Sequence, residues 1–344
     1  MPNIHLSNPR GPARQQAAGA LRRCAARARL ALCAAALTAA GMSPAHAYPD
    51  RPVTLIVPFA VGSSTDIMTR QAAKLLNEKF KTGNFIVDNK PGANGTIGSN
   101  MVARAKPDGY TLLVGSGTTH TQVPWMMKSV PYDPVKDFEA VAGIGGVPLA
   151  VLVAAQSPLK TIDDLVKEVK ASPNKYAYGT AFGMATVCGE KIRRGFDIDL
   201  QQIPYKSSPQ ALTDLIGGQI LVLCTDFNST MSAIRGGQVR ALAVTTKERN
   251  DQLPDVPSMM DSLPDFPEMR SWVGVFAPKG TPPEITNMLA DAVLEVTASS
   301  EFLTAMTPNG FGRLPLKGQE MTEFIKSELV KWKGLIQEAG IQQQ

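Results

Sequence analysis

Apolar and polar positions alternate in blocks along the chain, and the clearest block is Thr54–Arg70. Its apolar run Thr54–Val57 is short and aliphatic or β-branched, which favours a buried parallel strand over a helix. Pro58 ends the strand because proline cannot donate to a sheet. After Ser63–Asp66, residue types that cap helices, apolar residues recur at helical spacing as far as Phe80. The pattern therefore predicts a strand, a turn and a helix.

Similar blocks follow, and their order predicts an α/β fold. Short apolar runs bounded by turns indicate further strands at 85–87, 110–114, 176–179, 220–224 and 239–244. Helical patterns separate them, and strand, helix, strand is the order of a parallel sheet with right-handed crossovers. The apolar segments Val147–Ala154 and Trp272–Ala277 are expected to pass between two such lobes. Amphipathic helices at about 282–298 and 318–339 close the chain.

The first 47 residues have a pattern of their own. Arginines precede an apolar stretch from Leu30 to about Met42, and Ala45-His46-Ala47 is a small-x-small cleavage site. The apolar stretch is shorter than the roughly 20 residues that span a bilayer. We therefore expect a cleavable signal peptide at 1–47 and a protein exported to the periplasm.

Removal of that segment changes the charge of the chain. It takes away 6 of the 35 Lys and Arg and none of the 30 Asp and Glu, so the net charge of the remainder is near −1. A basic surface for nucleic acid is therefore not expected. His120 is the one histidine left in the sequence, which excludes a multi-histidine metal site. We expect no metal and no cofactor.

Two cysteines, Cys188 and Cys224, remain after residue 47. An even count in an oxidising compartment permits one disulfide, and two buried thiols are equally compatible with the sequence. The predicted elements put Cys188 at a helix start and Cys224 at a strand end of the same lobe.

The turn between the first predicted strand and helix has the features of an anion-binding site. A helix that starts at Ser63–Asp66 presents unpaired backbone N–H groups and a partial positive charge beside the flexible Gly62. The same residues also suit an ordinary strand-to-helix connection, and they lack the lysine and spacing of a P-loop. The hydroxyl-rich loop Gly115–Thr121 follows another predicted strand, so both loops should face one crevice.

A series of short motifs runs in order through nearly the whole chain after residue 47. They include Asn89-Lys90-Pro91-Gly92-Ala93, Pro131–Phe138, Leu212–Gln219 and Ala277–Pro282. With these motifs the chain resembles the extracytoplasmic solute-binding proteins of tripartite tricarboxylate transporters, the Bug family. The resemblance implies a type II periplasmic-binding-protein fold. In that fold two α/β lobes, each a mostly parallel sheet flanked by helices, close like a Venus flytrap on a small carboxylated solute.

The resemblance also implies how the chain is divided and where it binds. Residues 48–149 and 272–344 are expected to form lobe 1, and residues 150–271 lobe 2. Backbone N–H groups at one loop per lobe, Phe59–Asp66 and Thr180–Thr186, would hold a ligand carboxylate. The candidate ligand-binding residues are Phe59, Ala60, Gly62, Ser63, Ser64, Thr65, Asp66, Thr118, His120, Ala181, Phe182, Gly183, Met184, Ala185, Thr186 and Asp226.

Both loops depart from the family pattern. The first usually reads Pro-Pro-Gly-Gly-Gly, whereas Ala60–Ser64 reads Ala-Val-Gly-Ser-Ser. The second usually carries a hydroxyl-rich run, whereas Ala181–Thr186 is more apolar. Fewer side-chain donors and a wall formed by Phe182 and Met184 predict a ligand with an apolar or aromatic body.

Two candidate residues have alternative interpretations. Asp226 ends a predicted strand, where a carboxylate either accepts from a ligand amine or hydroxyl or caps the following helix. His120 is either a ligand donor or structural. Together with Ser63 or Ser64 and Asp66 it supplies the residue types of a hydrolytic triad. Because the serines lie in no nucleophile elbow, an enzyme is not expected.

The function that the resemblance implies is transport. We expect a monomeric periplasmic receptor that binds a small carboxylate and delivers it to the membrane permease subunits of a tripartite tricarboxylate-type transporter. Signalling to a membrane sensor kinase is an alternative that the sequence leaves open.

Overall fold

The first apolar block forms the elements that its pattern predicts. In the computed structural model, which describes Pro2 and residues 48–81 and 84–343, strand β1 spans Val53–Val57 and helix α1 spans Ser64–Lys79. The Ser63 hydroxyl caps α1 by accepting a hydrogen bond from the backbone N–H of Asp66. The signal peptide predicted at 1–47 lies outside the described residues, apart from Pro2.

Lobe 1 contains β1, α1 and elements from two parts of the chain, one before and one after the segment that forms lobe 2. Its other strands are β2 (Phe85–Asn89), β3 (Thr111–Ser116), β4 (Phe138–Gly146), β10 (Val273–Pro278) and β11 (Gly312–Arg313). Its other helices are α2 (Thr96–Ala103), α3 (Val123–Met126), α9 (Pro283–Ala298), α10 (Ser300–Met306) and α11 (Gly318–Glu338). A π-helical turn, Thr118–Gln122, joins β3 to α3.

Lobe 2 contains the middle of the chain. Its strands are β5 (Leu149–Ala154), β6 (Tyr176–Thr180), β7 (Leu200–Pro204), β8 (Val222–Asp226) and β9 (Val239–Val244). Its helices are α4 (Ile162–Ala171), α5 (Gly183–Gly195), α6 (Ser208–Ile216), α7 (Phe227–Arg235) and α8 (Met259–Ser262).

Both sheets are mixed. Within the described residues, the order of the lobe 1 sheet is β11-β4-β10-β3-β1-β2 and that of the lobe 2 sheet is β7-β6-β8-β5-β9. β1 lies parallel to β2 and β3, and β6 lies parallel to β7 and β8. The strands next to the interlobe crossings, β10 and β5, are antiparallel to their neighbours. The predicted two-lobed α/β fold is confirmed, and the expected return of the chain into lobe 1 is β10. The expectation that each sheet is mostly parallel is wrong, because β10, β4, β11, β5 and β9 pair in the antiparallel sense.

The sequence pattern misses β4 and misplaces the first crossing. Val147–Ala154 was expected to pass between the lobes, but Leu149–Ala154 is strand β5 inside the lobe 2 sheet, and the crossing itself is confined to about 146–149. Glycines at the end of β4 hide the strand from an apolar pattern. Gly146 is needed because a Cβ there would collide with the Ser271 carbonyl of the second crossing.

Buried apolar side chains connect the two lobes. One cluster continues from Val57 and Val275 in lobe 1 to Leu215 and Phe227 in lobe 2. Helix α11 also serves both lobes: Met321 and Ile325 pack in a lobe 1 cluster, whereas Trp332 and Ile336 belong to the lobe 2 core. The last helix is therefore shared between the lobes, although the resemblance implied that residues 272–344 belong to lobe 1. None of the helices that the structure describes is long and apolar enough to cross a membrane.

Candidate functional site

A cleft between the two lobes contains about 550 Å³ of space free of protein atoms, part of it open to solvent. Both predicted loops contribute to its walls, as do strand ends from each lobe. The cleft is lined by Phe59, Ala60, Ser63, Ser64, Thr65, Ser116, Gly117, Thr118, Ala181, Phe182, Met184, Lys206, Ser207, Ser208, Asp226, Ser271, Trp272 and Val273.

Helix N-termini converge on this cleft. In the described part of the chain, four helices have their N-cap residue in its lining: α1 at Ser63, α5 at Phe182, α6 at Ser207 and α7 at Asp226. Each N-terminus carries a partial positive charge and backbone N–H groups that lack a partner within the helix. The arrangement can bind an anion through backbone dipoles, as helix N-termini do elsewhere.

Charged side chains are sparse at the cleft. Among the described residues that line it, the ionisable groups are Lys206, which is exposed, and Asp226, which is buried. Among all the residues that the structure describes, no group of three or more His, Cys, Asp or Glu side chains is placed to hold a metal ion. Attraction for an anion therefore comes mainly from the helix N-termini, with Lys206 at the edge.

A hydrogen bond links the lobes at the cleft. The Asn228 side-chain amide of lobe 2 donates to the Ser64 hydroxyl of lobe 1 at 2.9 Å. Asp226, next to it, caps α7 by accepting from the backbone N–H of Ser229 at 3.0 Å. Burial raises the pKa of Asp226, and hydrogen bonds from Ser229 and Ser64 only partly oppose that effect. Asp226 therefore caps the helix and lines the cleft at once.

Asp66 does not line the cleft, contrary to the prediction. Its carboxylate points back into lobe 1, where it accepts from the Gly62 backbone N–H, the Arg70 guanidinium and the Asn89 amide at 2.9–3.0 Å. Burial acts to raise the pKa of Asp66, but these hydrogen bonds outweigh it and lower the pKa below its ordinary value. Gly62, with φ of +79°, closes the same turn and is also outside the lining.

His120 is a core residue and does not line the cleft. The π-helical turn Thr118–Gln122 directs its ring away from the cleft, where it stacks on Phe276 with ring centroids 3.9 Å apart. Its Nδ1 lies 2.9 Å from the Thr119 hydroxyl. Burial lowers the pKa of His120 to about 3, so the ring is neutral at ordinary pH.

The residue types of a hydrolytic triad are not assembled. Within the described residues, the Asp66 carboxylate is bonded to Gly62, Arg70 and Asn89, and His120 makes its hydrogen bond to Thr119. Neither the Asp66 carboxylate nor the His120 ring is hydrogen-bonded to Ser63 or Ser64 there; Asp66 contacts the Ser63 hydroxyl only through its backbone N–H. A base oriented toward a serine is the geometric requirement for such catalysis, and this arrangement lacks it.

The second predicted loop contributes part of its length. Ala181, Phe182 and Met184 line the cleft, whereas Gly183, Ala185 and Thr186 are outside the lining. Met184 and Ala185 are adjacent on α5, so their side chains leave the helix in different directions. Thr186 lines a separate outer groove next to Phe182, and its hydroxyl donates to the Phe182 carbonyl.

Ser116 and Gly117 line the cleft, and they belong to the loop Gly115–Thr121 that the sequence predicts to face the crevice. Other lining residues were not predicted from the sequence: Lys206, Ser207, Ser208, Ser271, Trp272 and Val273. A signal for the lysine and the following serines is present, because they follow strand β7 and precede the Pro209 that marks the start of α6. Trp272 and Val273 come from an antiparallel crossing strand, to which the rule for parallel strand ends does not apply.

Cys188 and Cys224 form a disulfide. The bond joins α5 to β8, and both sulfur-bearing residues are buried. The same two elements carry Met184 and Asp226 into the cleft. The disulfide therefore connects the supports of two cleft walls in lobe 2.

The fold and the cleft agree with the comparison of the chain with known proteins. The family model described as "Tripartite tricarboxylate transporter family receptor" matches residues 68–341. The chain belongs to this family. Its members are solute-binding receptors and not enzymes, so the hydrolase interpretation is set aside.

Relatives of this receptor extend over nearly all of the described chain. Protein BugT of Bordetella pertussis is 33% identical over 300 residues, which cover 86% of this chain and 91% of BugT. The structure of the periplasmic binding protein BugD is 32% identical and has a TM-score of 0.82, covering 86% of this chain and 100% of BugD. An R. palustris protein determined with adipate is 29% identical with a TM-score of 0.83, covering 86% of this chain and 100% of that protein.

Proposed function

We propose that this protein is a periplasmic receptor that binds a small carboxylate with an apolar or aromatic body between its lobes. The observation that carries the proposal is the convergence of four helix N-termini, within the described residues, on a cleft with little side-chain charge. Backbone N–H groups replace the water shell of a carboxylate there without a buried counter-ion.

The walls of the cleft support the apolar part of the proposal. Phe59, Phe182, Met184, Trp272 and Val273 present aromatic or aliphatic surface next to the helix N-termini. Burial of apolar ligand surface contributes roughly 25 cal/mol per Å², so a hydrocarbon chain or ring between these side chains adds to affinity. A small, fully hydrated polyanion such as citrate would leave this surface without a partner.

We further propose that the loaded receptor delivers its ligand to the permease of a tripartite tricarboxylate-type transporter, after export directed by residues 1–47. The family description and the periplasmic relative BugD support this proposal. In this view 48–149 and 272–344 form one lobe and 150–271 the other. Helix α11 contacts both lobes, and ligand binding favours the closed arrangement because both lobes contact the anion only when closed.

Thermal unfolding of the purified protein with matched ligand pairs tests the proposed ligand class. Each pair consists of a carboxylate and an uncharged alcohol of the same carbon skeleton, such as benzoate with benzyl alcohol and adipate with hexane-1,6-diol. A ligand at 100 times its dissociation constant stabilises the fold by about 2.7 kcal/mol, which gives a measurable rise in Tm. The proposal expects a rise with at least one carboxylate and none with the alcohols. Stabilisation by the alcohols alone would contradict it.

A further inference from the structure

We propose that Asn228 is a positioning residue of this receptor. Its hydrogen bond to Ser64 holds the start of α1 against the start of α7, and so favours the closed arrangement of the lobes, in which these two residues are in contact, before a ligand arrives. The effect on ligand affinity rests on the proposed function, whereas the effect on the lobes does not. Asn228 is outside the lining of the cleft, and it acts on the ligand only through Ser64.

The bond between Asn228 and Ser64 is buried. The side-chain amide donates to the hydroxyl at 2.9 Å, Ser64 is 8% exposed and Asn228 is 9% exposed. Little water competes for the two groups while the lobes are together. The ion pair between Lys191 and Glu338 also joins residues of the two expected lobes, but it is solvent-exposed, and such pairs contribute little.

The Ser64 hydroxyl is bonded to lobe 2 on both sides. It accepts from Asn228, and it also makes a hydrogen bond to the Asp226 carboxylate, for which the hydroxyl is the donor. Asp226 is the N-cap of α7 and Asn228 is the second residue of that helix. The first turn of α7 therefore binds a single hydroxyl of lobe 1 with one donor and one acceptor.

The first turn of α7 is itself fixed in place. Phe227, between the two polar residues, is fully buried in the apolar cluster that continues into lobe 1. Its backbone N–H donates to the Pro148 carbonyl in the first crossing at 3.1 Å. A group on a fixed support loses little freedom when it forms a bond, so the Asn228 amide is preorganised to bind Ser64.

The start of α1 approaches lobe 2 at a second point. A Cβ on Gly62 would lie 3.4 Å from the side chain of Pro209, at the start of α6. The lobes therefore meet along the turn from Gly62 to Ser64, and the bond to Asn228 adds a directional contact to this packing. Rotation of one lobe away from the other would separate both contacts.

Helix formation does not explain the asparagine at position 228. Asparagine has a low intrinsic helix propensity, and α7 is already capped by Asp226. The side-chain oxygen of Asn228 is buried without a hydrogen-bond partner among the described residues, which is unfavourable. The contact that its side-chain nitrogen makes there is the bond to Ser64. The side chain therefore serves the contact between the lobes.

A residue that favours closure also raises ligand affinity. The apparent dissociation constant equals the intrinsic constant divided by the fraction of molecules in the binding-competent, closed arrangement. One net intramolecular hydrogen bond changes such an equilibrium about fivefold. Loss of the Asn228 bond should therefore lower the closed fraction and the affinity by the same factor, up to about fivefold.

Distances between spin labels in the ligand-free protein test the effect on the lobes. The exposed substitutions Met101→Cys in lobe 1 and Lys167→Cys in lobe 2 carry the labels, and the native disulfide stays intact. The parent should have a population at the distance of the closed arrangement. Asn228→Ala should lower that population, Ser64→Ala should lower it at least as much, and the exposed control Asn287→Ala should leave it unchanged. Equal distributions for Asn228→Ala and the parent, or a parent without the closed population, would overturn the inference.

Calorimetric titration with adipate, or with benzoate if adipate does not bind, tests the effect on affinity through a double-mutant cycle. Asn228→Ala should weaken binding by the factor by which it lowers the closed fraction. In a Ser64→Ala background the same substitution should change affinity less than about twofold, because the acceptor is already absent. Additive losses would show that Asn228 does not act through Ser64 and would overturn the inference. Thermal unfolding confirms that each variant is folded.

The two measurements separate the inference from the proposed function. Failure of both adipate and benzoate to bind the parent would contradict the proposed function, and the spin-label distances would still decide the role of Asn228. Ligand binding by a parent whose closed fraction does not depend on Asn228 would overturn the inference and leave the proposed function intact.

Discussion

Two aspartates at helix starts, Asp66 in lobe 1 and Asp226 in lobe 2, are both buried but have opposite surroundings. Asp66 accepts from Arg70, Asn89 and the Gly62 backbone, and its pKa lies below the ordinary value because these bonds outweigh burial. Asp226 has no cationic partner among the described residues, and burial raises its pKa. One carboxylate is part of the scaffold, and the other faces the cleft.

The difference shows that topology alone does not assign a role to a helix-start carboxylate. Asp66 lies in the first turn of α1 and Asp226 is the N-cap of α7, and the N-termini of both helices face the cleft. The side chain of Asp66 turns inward because Arg70, one helical turn later, and Asn89, at the end of β2, attract it. Asp226 has no comparable pair of partners within the described residues, so its carboxylate remains available at the cleft surface.

The largest expected effect is on stability, and it comes from removing the disulfide between Cys188 and Cys224, which lies two residues before Asp226. The double variant Cys188→Ala/Cys224→Ala should lose about 3–4 kcal/mol of unfolding free energy, because the bond closes a loop with a sequence separation of 36. Urea unfolding with and without a thiol reductant measures the loss. The variant should be insensitive to the reductant, and equal stability of variant and parent would contradict a structural role for the bond.

A slightly smaller loss is expected when the scaffold carboxylate is removed. Asp66→Ala leaves Arg70, Asn89 and the Gly62 N–H without their shared acceptor, which should lower the unfolding free energy by about 2–3 kcal/mol. Denaturant unfolding measures it. Glu323→Ala is the matched control, because Glu323 pairs with Lys326 on an exposed helix face and should cost less than about 1 kcal/mol. Equal losses in the two variants would contradict the comparison.

Removing the charge of Asp226 is expected to raise ligand affinity, whereas the two preceding changes lower stability. Asp226→Asn keeps a cap for α7 but removes the negative charge, so affinity for adipate should rise about tenfold at any pH where the parent aspartate is ionised. The affinity of the unmodified protein should also rise as the pH falls and Asp226 takes up a proton. Calorimetry over a series of pH values tests both statements, with the variant as the control for protonation of the ligand. A drop in affinity on Asp226→Asn would instead indicate that the aspartate accepts from a ligand donor.

The smallest effects, at most about 1.4 kcal/mol per pH unit, concern stability against pH. Asp66 has a lowered pKa, so its contribution is present above its unfolded value and is lost as the pH falls through the folded one. Asp226 has a raised pKa, so the cost of ionising it appears as the pH rises from the unfolded value to the folded one. Urea unfolding of Asp66→Asn and Asp226→Asn from pH 3 to 7 should give differences from the parent of opposite sign. Differences of the same sign would contradict the assignment.

Local patterns were sufficient to find most elements of the fold. The run Thr54–Val57 and the capping residues Ser63–Asp66 are recognisable because caps and apolar periods depend on neighbours in sequence. Strand β4 escaped because its last glycines are selected by contacts with Ser271 and Leu314, which are remote in sequence. The first crossing between the lobes was predicted at the wrong residues for the same reason.

The site shows the same division. Ser63–Thr65, Phe182 and Asp226 lie at helix starts that follow parallel strands, and all of them line the cleft. The orientation of His120 depends on a π-helical turn and on stacking with Phe276, neither of which leaves a periodic pattern. The contribution of Trp272 depends on an antiparallel crossing strand that pairs with β3.

The sequence by itself determined the class of this protein, its two-lobed α/β plan and the helix N-termini that can bind an anion, because strand runs, caps and family motifs are local in the chain. The tertiary structure alone decided which groups at those positions line the cleft. It paired Cys188 with Cys224, turned Asp66 and His120 inward, and brought Trp272 to the cleft. These outcomes depend on partners far away in sequence, and a side chain follows the hydrogen bonds and packing that those partners offer.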